Sequence, residues 1–302
     1  MSADAAGQDA APLLSILVLT FNEELNLPHC LASLEGLNAE VFVVDSGSTD
    51  RTAAIAAEYG AQVVQHRFEN QARQINWALE TLPFRSQWIL RLDADERLTP
   101  ELARELLMVL PATSASVTGF LIRRRVYFWG QWIKHGGYYP IWLLRAWRTG
   151  KGDCEDLWMD EHIRVHSGEV ARLSHDIIDE NRKGLFFWIE KHNRFSDREV
   201  LAILLAQHEE SAEGIGGQAS RKRALKRQVY SRAPRFLRAV LYWAFRYFIL
   251  LGFLDGKAGF VFHFLQGFWY RMVVDAKLLE HDRNAASGAL RPNAPLQIAE
   301  PR

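Results

Sequence analysis

The stretch Trp88–Leu102, WILRLDADERLTPEL, sets Asp93, Asp95 and Glu96 directly behind an apolar run. Trp88, Ile89, Leu90 and Leu92 read as a buried strand. Thr99-Pro100-Glu101 reads as a helix start, with Thr99 as N-cap, Pro100 at the first helical position and Glu101 in the favourable first turn. The carboxylates are therefore expected in a strand-to-helix loop, where open α/β sheets hold their ligands. Residues two apart in extended chain point to one side, so Asp93 and Asp95 are expected to face a common site. Two carboxylates sharing a site repel unless something positive lies between them. Mg²⁺ or Mn²⁺ holding phosphate oxygens would fill that role.

Outward from this stretch the chain alternates. Apolar, β-branched runs occur at 14–19, 41–44, 61–64, 88–92 and 117–122, with helical patterns at 24–35, 49–59, 70–81 and 100–109. Ser48 or Thr49 is expected to cap the second helix, and Gly60 to end it. Such alternation predicts βαβ units and a parallel sheet. The first strand leads into LTFNEELN, placing Thr20, Asn22 and Glu23 at its carboxyl end; the second leads into VVDSGSTDRT and ends on Asp45. An acid at the end of a second strand commonly accepts hydrogen bonds from a nucleotide. TFNEE contains no glycine, which excludes a dinucleotide fold with G-x-G-x-x-G after its first strand. All three acidic strand ends should lie on one edge of the sheet.

Composition narrows the class. The 302 residues are 48% apolar and 24% charged, as in a folded globular protein, and 36 basic residues balance 36 acidic ones, so net charge points to no partner. Cys30 and Cys154 are too few for a disulfide framework, and Cys30 reads as core. His162, His166 and His175 match no standard zinc spacing. Residues 1–12 carry no basic residue ahead of LLSILVL and read as a flexible lead-in rather than a secretory signal. From 126 to 183 the pattern breaks into aromatic, Gly-bearing segments expected to form short strands and loops. Residues 185–208 read as helix and 209–217 as a linker.

The last third differs. Residues 221–246 hold nine Lys or Arg and no acid, and YWAFRYFILLGFLDGKAGFVFHFLQGFWYRMVV follows from Tyr242. Arg246, Asp255, Lys257 and Arg271 cut this region into pieces shorter than the roughly 20 residues that span a bilayer. Apolar, aromatic helices beside a basic stretch fit a membrane interface; a buried helical hairpin is the competing reading. Nucleic acid is not expected as a partner, because the aromatics follow the basic block instead of interleaving with it.

Taken together, LTFNEE, VVDSGSTDRT, NQARQINWALE, LRLDADE, YYPIWLLRAWRTG and WMDEHI resemble the family 2 glycosyltransferases of the GT-A fold, over roughly residues 13 to 200. GFLDGKAGF adds a resemblance to the branch with lipopolysaccharide-core β-1,4-glucosyltransferases. The resemblance implies an α/β fold: a GT-A type nucleotide-binding, mostly parallel sheet flanked by helices over 13–215. It is followed by a basic, aromatic helical membrane-associating extension over 216–284 and a flexible tail over 285–302. It implies that Thr20, Asn22, Glu23 and Asp45 hold the nucleotide, Asp93 its ribose side, and Asp95, with Asp93, a Mg²⁺ or Mn²⁺ ion on the diphosphate. Arg73 is the candidate diphosphate cation, Ile75 standing where many relatives carry a basic residue. Asp160 or Glu161, with Glu161 favoured, is the implied base for single displacement with inversion. The expectation is thus hexose transfer from a nucleotide-diphosphate sugar, UDP-hexose foremost, to a lipid-linked or lipopolysaccharide glycan. The protein would sit peripherally, on anionic lipid at the inner face of the cytoplasmic membrane. A sugar-1-phosphate nucleotidyltransferase is the second enzyme class, although TFNEE lacks its glycine-rich basic loop, and an inactive membrane-docked scaffold is the non-catalytic one.

Overall fold

In the computed structural model of the chain, which describes residues 12–156, 162–209 and 234–287, the first apolar run forms β1 (Leu14–Thr20). β2 (Ala39–Asp45) lies parallel beside it with Thr20 opposite Asp45, and β3 (Gln62–Gln65) extends the parallel set. On its other side runs β4 (Trp88–Asp93), also parallel, with Leu19 opposite Asp93. Three strands thus deliver their last residues to one edge.

Both faces of these strands are covered, which is why they read as continuous apolar runs rather than alternating ones. On one face α1 (Leu27–Ala32) packs Leu27, Cys30 and Leu31 against Ile16, Val18, Leu90 and Leu92. Ile55 and Ala56 of α2 (Thr52–Glu58) belong to the same cluster. On the other face Ala72, Ile75 and Ala78 of α3 (Gln71–Thr81) meet Leu17, Phe42, Val44 and Ile89. Complete burial of a side chain of this size contributes about 1.5–3 kcal/mol.

Two local expectations change. The chain does not pass from Asp93 directly to a helix: Ala94 and Asp95 form a turn, and β5 (Glu96–Leu98) follows it. Asp93 and Asp95 therefore do not share one extended segment, and the period-two argument does not apply to them. Helix α4 (Pro100–Ala112) then begins as expected, with Thr99 Oγ1 accepting from Leu102 N at 3.2 Å. Helix α2 starts later than expected, with Arg51 at its N-cap, because Ser48 and Thr49 bond to Asp45 and Asn22 instead. Gly60, at φ +74°, ends that helix as expected.

Beyond β4 the sheet becomes mixed. β6 (Val117–Phe128) is followed in sequence by β7 (Gln131–Ile133), which belongs to the second unit, and then by β8 (Ile141–Arg148). β9 (Gly152–Cys154) and β10 (Ile163–Val165) form a separate two-stranded ribbon, and β11 (Glu169–Asp179) returns to the main sheet. The order is β3-β2-β1-β4-β8-β6-β11-β5. β8 is antiparallel to β4 and β6, and β11 is parallel to β6 but antiparallel to β5. The 126–183 region, expected to hold only short strands, supplies two of the longer ones.

The chain divides into two compact units: Met1–Gly130 with Tyr139–Lys183, and Gln131–Tyr138 with Gly184–Arg302. The expected boundary at 215 and the linker from 210 on lie outside the described residues, as do residues 1–11 and 288–302. The second unit contains β7, α5 (Gly184–Glu209), α6 (Leu237–Ala244), α7 (Gly256–His263) and α8 (Tyr270–Ala286). Val200 of α5 packs with Tyr270, Val274 and Leu278 of α8, and Lys277 Nζ reaches Asp197 Oδ1 at 2.5 Å. Among the described residues no single helix is long and apolar enough to cross a membrane. Of the nine basic residues between 221 and 246, three are described: Arg235 pairs with Asp282, buried Arg238 with Asp275, and Arg246 Nε donates to Gly136 O.

Candidate active site

Asp45 organises the first half of the edge. It is fully buried at the end of β2, and five donors surround its carboxylate. Oδ1 accepts from Thr20 Oγ1 at 2.9 Å and Ser48 Oγ at 2.5 Å; Oδ2 accepts from Gly47 N, Ser48 N and Gln65 Nε2 at 3.1, 2.8 and 3.0 Å. Burial alone would raise this carboxyl, but the hydrogen bonds from Ser48, Gln65 and Thr20 outweigh it and hold the group below its ordinary range. Gly47, at φ +87°, lets the loop curl back over the carboxylate.

The loop after β1 locks onto the loop after β2. Asn22 adopts a left-handed backbone, φ 54°, which asparagine tolerates better than most residues. Its N–H donates to Ser48 Oγ at 2.8 Å, and its Oδ1 accepts from Thr49 N at 2.8 Å. Glu23 follows, with N donating to Thr52 Oγ1 at 2.7 Å. Its carboxylate receives Lys183 Nζ at 2.6 Å on Oε1 and Asn26 Nδ2 at 2.7 Å on Oε2. Burial raises the Glu23 carboxyl above its ordinary value, Lys183 opposes this, and the nearby charge of Asp95 adds to it. Asp95 is half-buried and accepts from Asn181 Nδ2 at 3.0 Å on Oδ2.

Asp93 sits in a different environment. Oδ1 pairs with Arg91 Nη2 at 2.9 Å and Oδ2 with Arg145 Nη2 at 3.0 Å. Arg145, buried on β8, also donates to Glu96 Oε1 at 2.5 Å, while Glu96 Oε2 accepts from Asp93 N at 3.0 Å. Burial would push Asp93 up, yet the two guanidinium groups hold it well below the carboxylate range. Arg73 lies in the first turn of α3, where its guanidinium faces Glu69 at 2.8 Å and Asp156 at 3.5 Å. The same turn reaches Asp93 through Gln71 Nε2 at 3.4 Å.

Thr20, Asn22, Glu23, Asp45, Asp93 and Asp95 therefore occupy one edge of the sheet, at the ends of β1, β2 and β4. Asp160 and Glu161 lie outside the described residues. Sequence reasoning missed Arg91, Arg145, Asn181 and Lys183, and it read Glu96 as a loop carboxylate where the structure pairs it with buried Arg145. Arg91 had a signal, since it precedes Asp93 by two on one strand and so shares its side. Among the described residues, no group of three or more His, Cys, Asp or Glu is arranged to hold a metal ion. His175, whose spacing matched no zinc motif, pairs through Nδ1 with Glu105 Oε2 at 2.8 Å.

Residues 15–180 match the model of "Glycosyl transferase family 2". The chain belongs to that family. The match contains all the acids of this edge, and it starts at β1 and ends with β11. This family 2 chain is 37% identical over 167 residues to the "Lipopolysaccharide core biosynthesis glycosyltransferase LpsC" of Rhizobium meliloti, covering 52% of the chain and 57% of that protein. It is 39% identical over 93 residues to an uncharacterized glycosyltransferase of Rickettsia bellii, covering 31% of each. The aligned stretch thus spans little more than half of the first relative and under a third of the second. Among solved structures, the mannosyltransferase PcManGT from Pyrobaculum calidifontis, in complex with GDP-Man and Mn²⁺, superposes with a TM-score of 0.47 at 15% identity, covering 90% of this chain and 88% of that one.

Proposed function

We propose that this family 2 chain is an inverting, metal-dependent hexosyltransferase. It moves a hexose from a nucleotide-diphosphate sugar, with a UDP-hexose as the expected donor, to a membrane-associated glycan of the lipopolysaccharide-core or exopolysaccharide type. One observation carries the reading: Thr20, Asp45 and Asp93 end three adjacent parallel strands at one edge, with Glu23 and Asp95 beside them. In this reading Thr20, Asn22, Glu23 and Asp45 hold the nucleotide, Asp93 faces its ribose and Arg73 its diphosphate. The resemblance to a relative named for lipopolysaccharide core biosynthesis supports the acceptor class. The protein works peripherally at the inner face of the cytoplasmic membrane.

A divalent ion such as Mg²⁺ or Mn²⁺, when bound, supplies neutralising charge for the departing diphosphate. The residues fit a hard cation: Asp95 is an oxygen donor beside a second acid, Glu23. Both Asp93 oxygens already pair with arginines, so Asp95 is the carboxylate to hold the ion. Glu161, or Asp160, takes the proton from the acceptor hydroxyl on the face opposite the leaving group, which inverts the anomeric centre.

The test is a screen of nucleotide sugars against glycan acceptor, with the product anomer read by NMR. One donor should release nucleoside diphosphate and give the inverted linkage. Retention of configuration, or no turnover of any donor, would refute the mechanism.

A further inference from the structure

The helices of the second unit form an elbow whose outside is largely apolar and where Asp255, His263 and Arg246 turn inward. The segment Leu237–Ile249 meets Gly252–Ala286 at an angle of 73°. Around this bend, twelve large apolar side chains between Leu237 and Phe264 are exposed, among them Phe248, Ile249 (68%), Leu250, Leu251, Phe253 and Leu254 (55%). Ring contacts knit the surface together: Tyr247 lies 5.5 Å from Trp243, 6.3 Å from Phe253 and 5.8 Å from Phe260. Monomeric proteins in water rarely expose so many neighbouring apolar groups.

Among the described residues, most polar groups inside the bend are paired; the exceptions are the buried Trp243 Nε1 and His263 Nδ1. Where the helices break, Leu250 O accepts from Gly136 N at 2.8 Å, and Leu254 N donates to Leu251 O at 3.0 Å. Buried Asp255 accepts from Lys134 N at 3.2 Å, His135 N at 3.0 Å, His135 Nδ1 at 2.6 Å and His263 Nε2 at 3.2 Å. Arg246, the charge nearest the bend, donates through Nε to Gly136 O at 2.6 Å and lies 4.0 Å over the Tyr138 ring. A protein-binding face in water needs no such economy, because water satisfies whatever the partner leaves. A lipid-immersed segment does need it, since hydrocarbon offers no hydrogen bonds.

Length and charge fix the depth. The 13-residue arm Leu237–Ile249 is about 20 Å long, against roughly 30 Å of hydrocarbon. Lys257, exposed two residues after Asp255, holds that side of the elbow at headgroup level. Upstream, residues 221–232 contribute six Lys or Arg and no acid, complementary to anionic lipid.

We infer that the elbow around Phe248–Leu254 is a monotopic foot, inserting into one leaflet of an anionic membrane to the depth of the acyl boundary without crossing it. This rests on and deepens the peripheral-membrane part of the proposed function, and its failure is distinguishable from failure of the sugar-transfer chemistry because its readout needs neither donor nor acceptor.

Full-length protein is sedimented with vesicles of phosphatidylethanolamine and phosphatidylglycerol at low and high salt. Binding should be strong at low salt and partly retained at high salt. The double variant Ile249→Ser/Leu254→Ser should weaken the high-salt fraction at least about tenfold. Its melting curve should not move, since both side chains already face solvent. Ile249→Leu/Leu254→Phe should bind like the parent. As a second measurement, a fluorophore on Leu254→Cys should be quenched by lipids brominated high on the acyl chain. No vesicle binding, unchanged binding of the serine variant, or no quenching would overturn the inference. So would self-association that requires Ile249 and Leu254 in a protein that ignores vesicles, which would make a second copy the partner.

Discussion

Lys183 Nζ stands 2.6 Å from Glu23 Oε1, joining two residues 160 positions apart at the edge where β1 ends. Both side chains are largely buried, so neither is readily rescued by water. Lys183→Met should cost about 1.5–3 kcal/mol, the loss expected for a hydrogen bond to a charged group. Without the ammonium, the already raised Glu23 carboxyl should rise further. The stability gap to the parent should therefore be widest at neutral pH and close as Glu23 protonates. Urea unfolding across pH measures this directly.

Arg145 bridges Asp93 and Glu96 in the interior, with 5% of its side chain exposed. Removing the cation leaves buried Glu96 without it and half-buried Asp93 with Arg91 alone. Arg145→Leu should lose about 3–5 kcal/mol, as for a buried pair deprived of one partner. Arg145→Leu/Glu96→Leu should regain part of that, because the stranded Glu96 charge is gone. Denaturant midpoints of the parent, both single variants and the double variant give the coupling.

Asp45 makes an acid-side prediction. Its carboxyl is held below the ordinary value by the folded loop, so its stabilisation is complete above the unfolded value of about 3.9 and is lost as pH falls through the lower folded value. Asp45→Asn should be less stable than the parent at neutral pH, and the difference should shrink at acid pH. On the proposed function, Asp45→Ala should also weaken nucleoside diphosphate binding by about 1–3 kcal/mol. Calorimetry with unchanged affinity would remove Asp45 from the site.

On the proposed function, Asp95 separates metal binding from folding. Its half-buried carboxylate accepts from Asn181 Nδ2 at 3.0 Å. Asp95→Asn should abolish donor turnover and leave the melting temperature nearly unchanged, and excess chelator should reproduce the loss in the parent. Full turnover in chelator would exclude the ion.

The strands that build the edge were legible because each is an apolar run closing on a polar residue, Thr20, Asp45 or Asp93, with both faces buried. β8 and β11 were hidden for the opposite reason. Buried Arg145 and Asp176 interrupt their apolar pattern, and their charges are balanced only by residues far away in sequence: Asp93 and Glu96 for Arg145, Arg123 and Arg125 for Asp176. β5 was missed because it is three residues long and carries two charges, Glu96 and Arg97. The acids of the site could be found one at a time from strand ends. Apart from Arg91, their counter-charges could not, since Lys183 and Arg145 sit in segments with no local reason to approach them.

Because residues 131–138 pack with the helical unit although they interrupt the sequence of the sheet unit, the chain passes between the two units at Gly130–Gln131, Tyr138–Tyr139 and Lys183–Gly184. The helical part is therefore stitched in, not appended. Cutting the protein after α5 would strand the N–H groups of Lys134 and His135 without the Asp255 carboxylate that receives them. It would also leave Gly136 without Leu250 and Arg246. A shortened protein of that kind would report on a broken remnant of the helical unit, residues 131–138, as much as on a missing foot. For this molecule, point changes on the outside of the elbow are the cleaner scalpel.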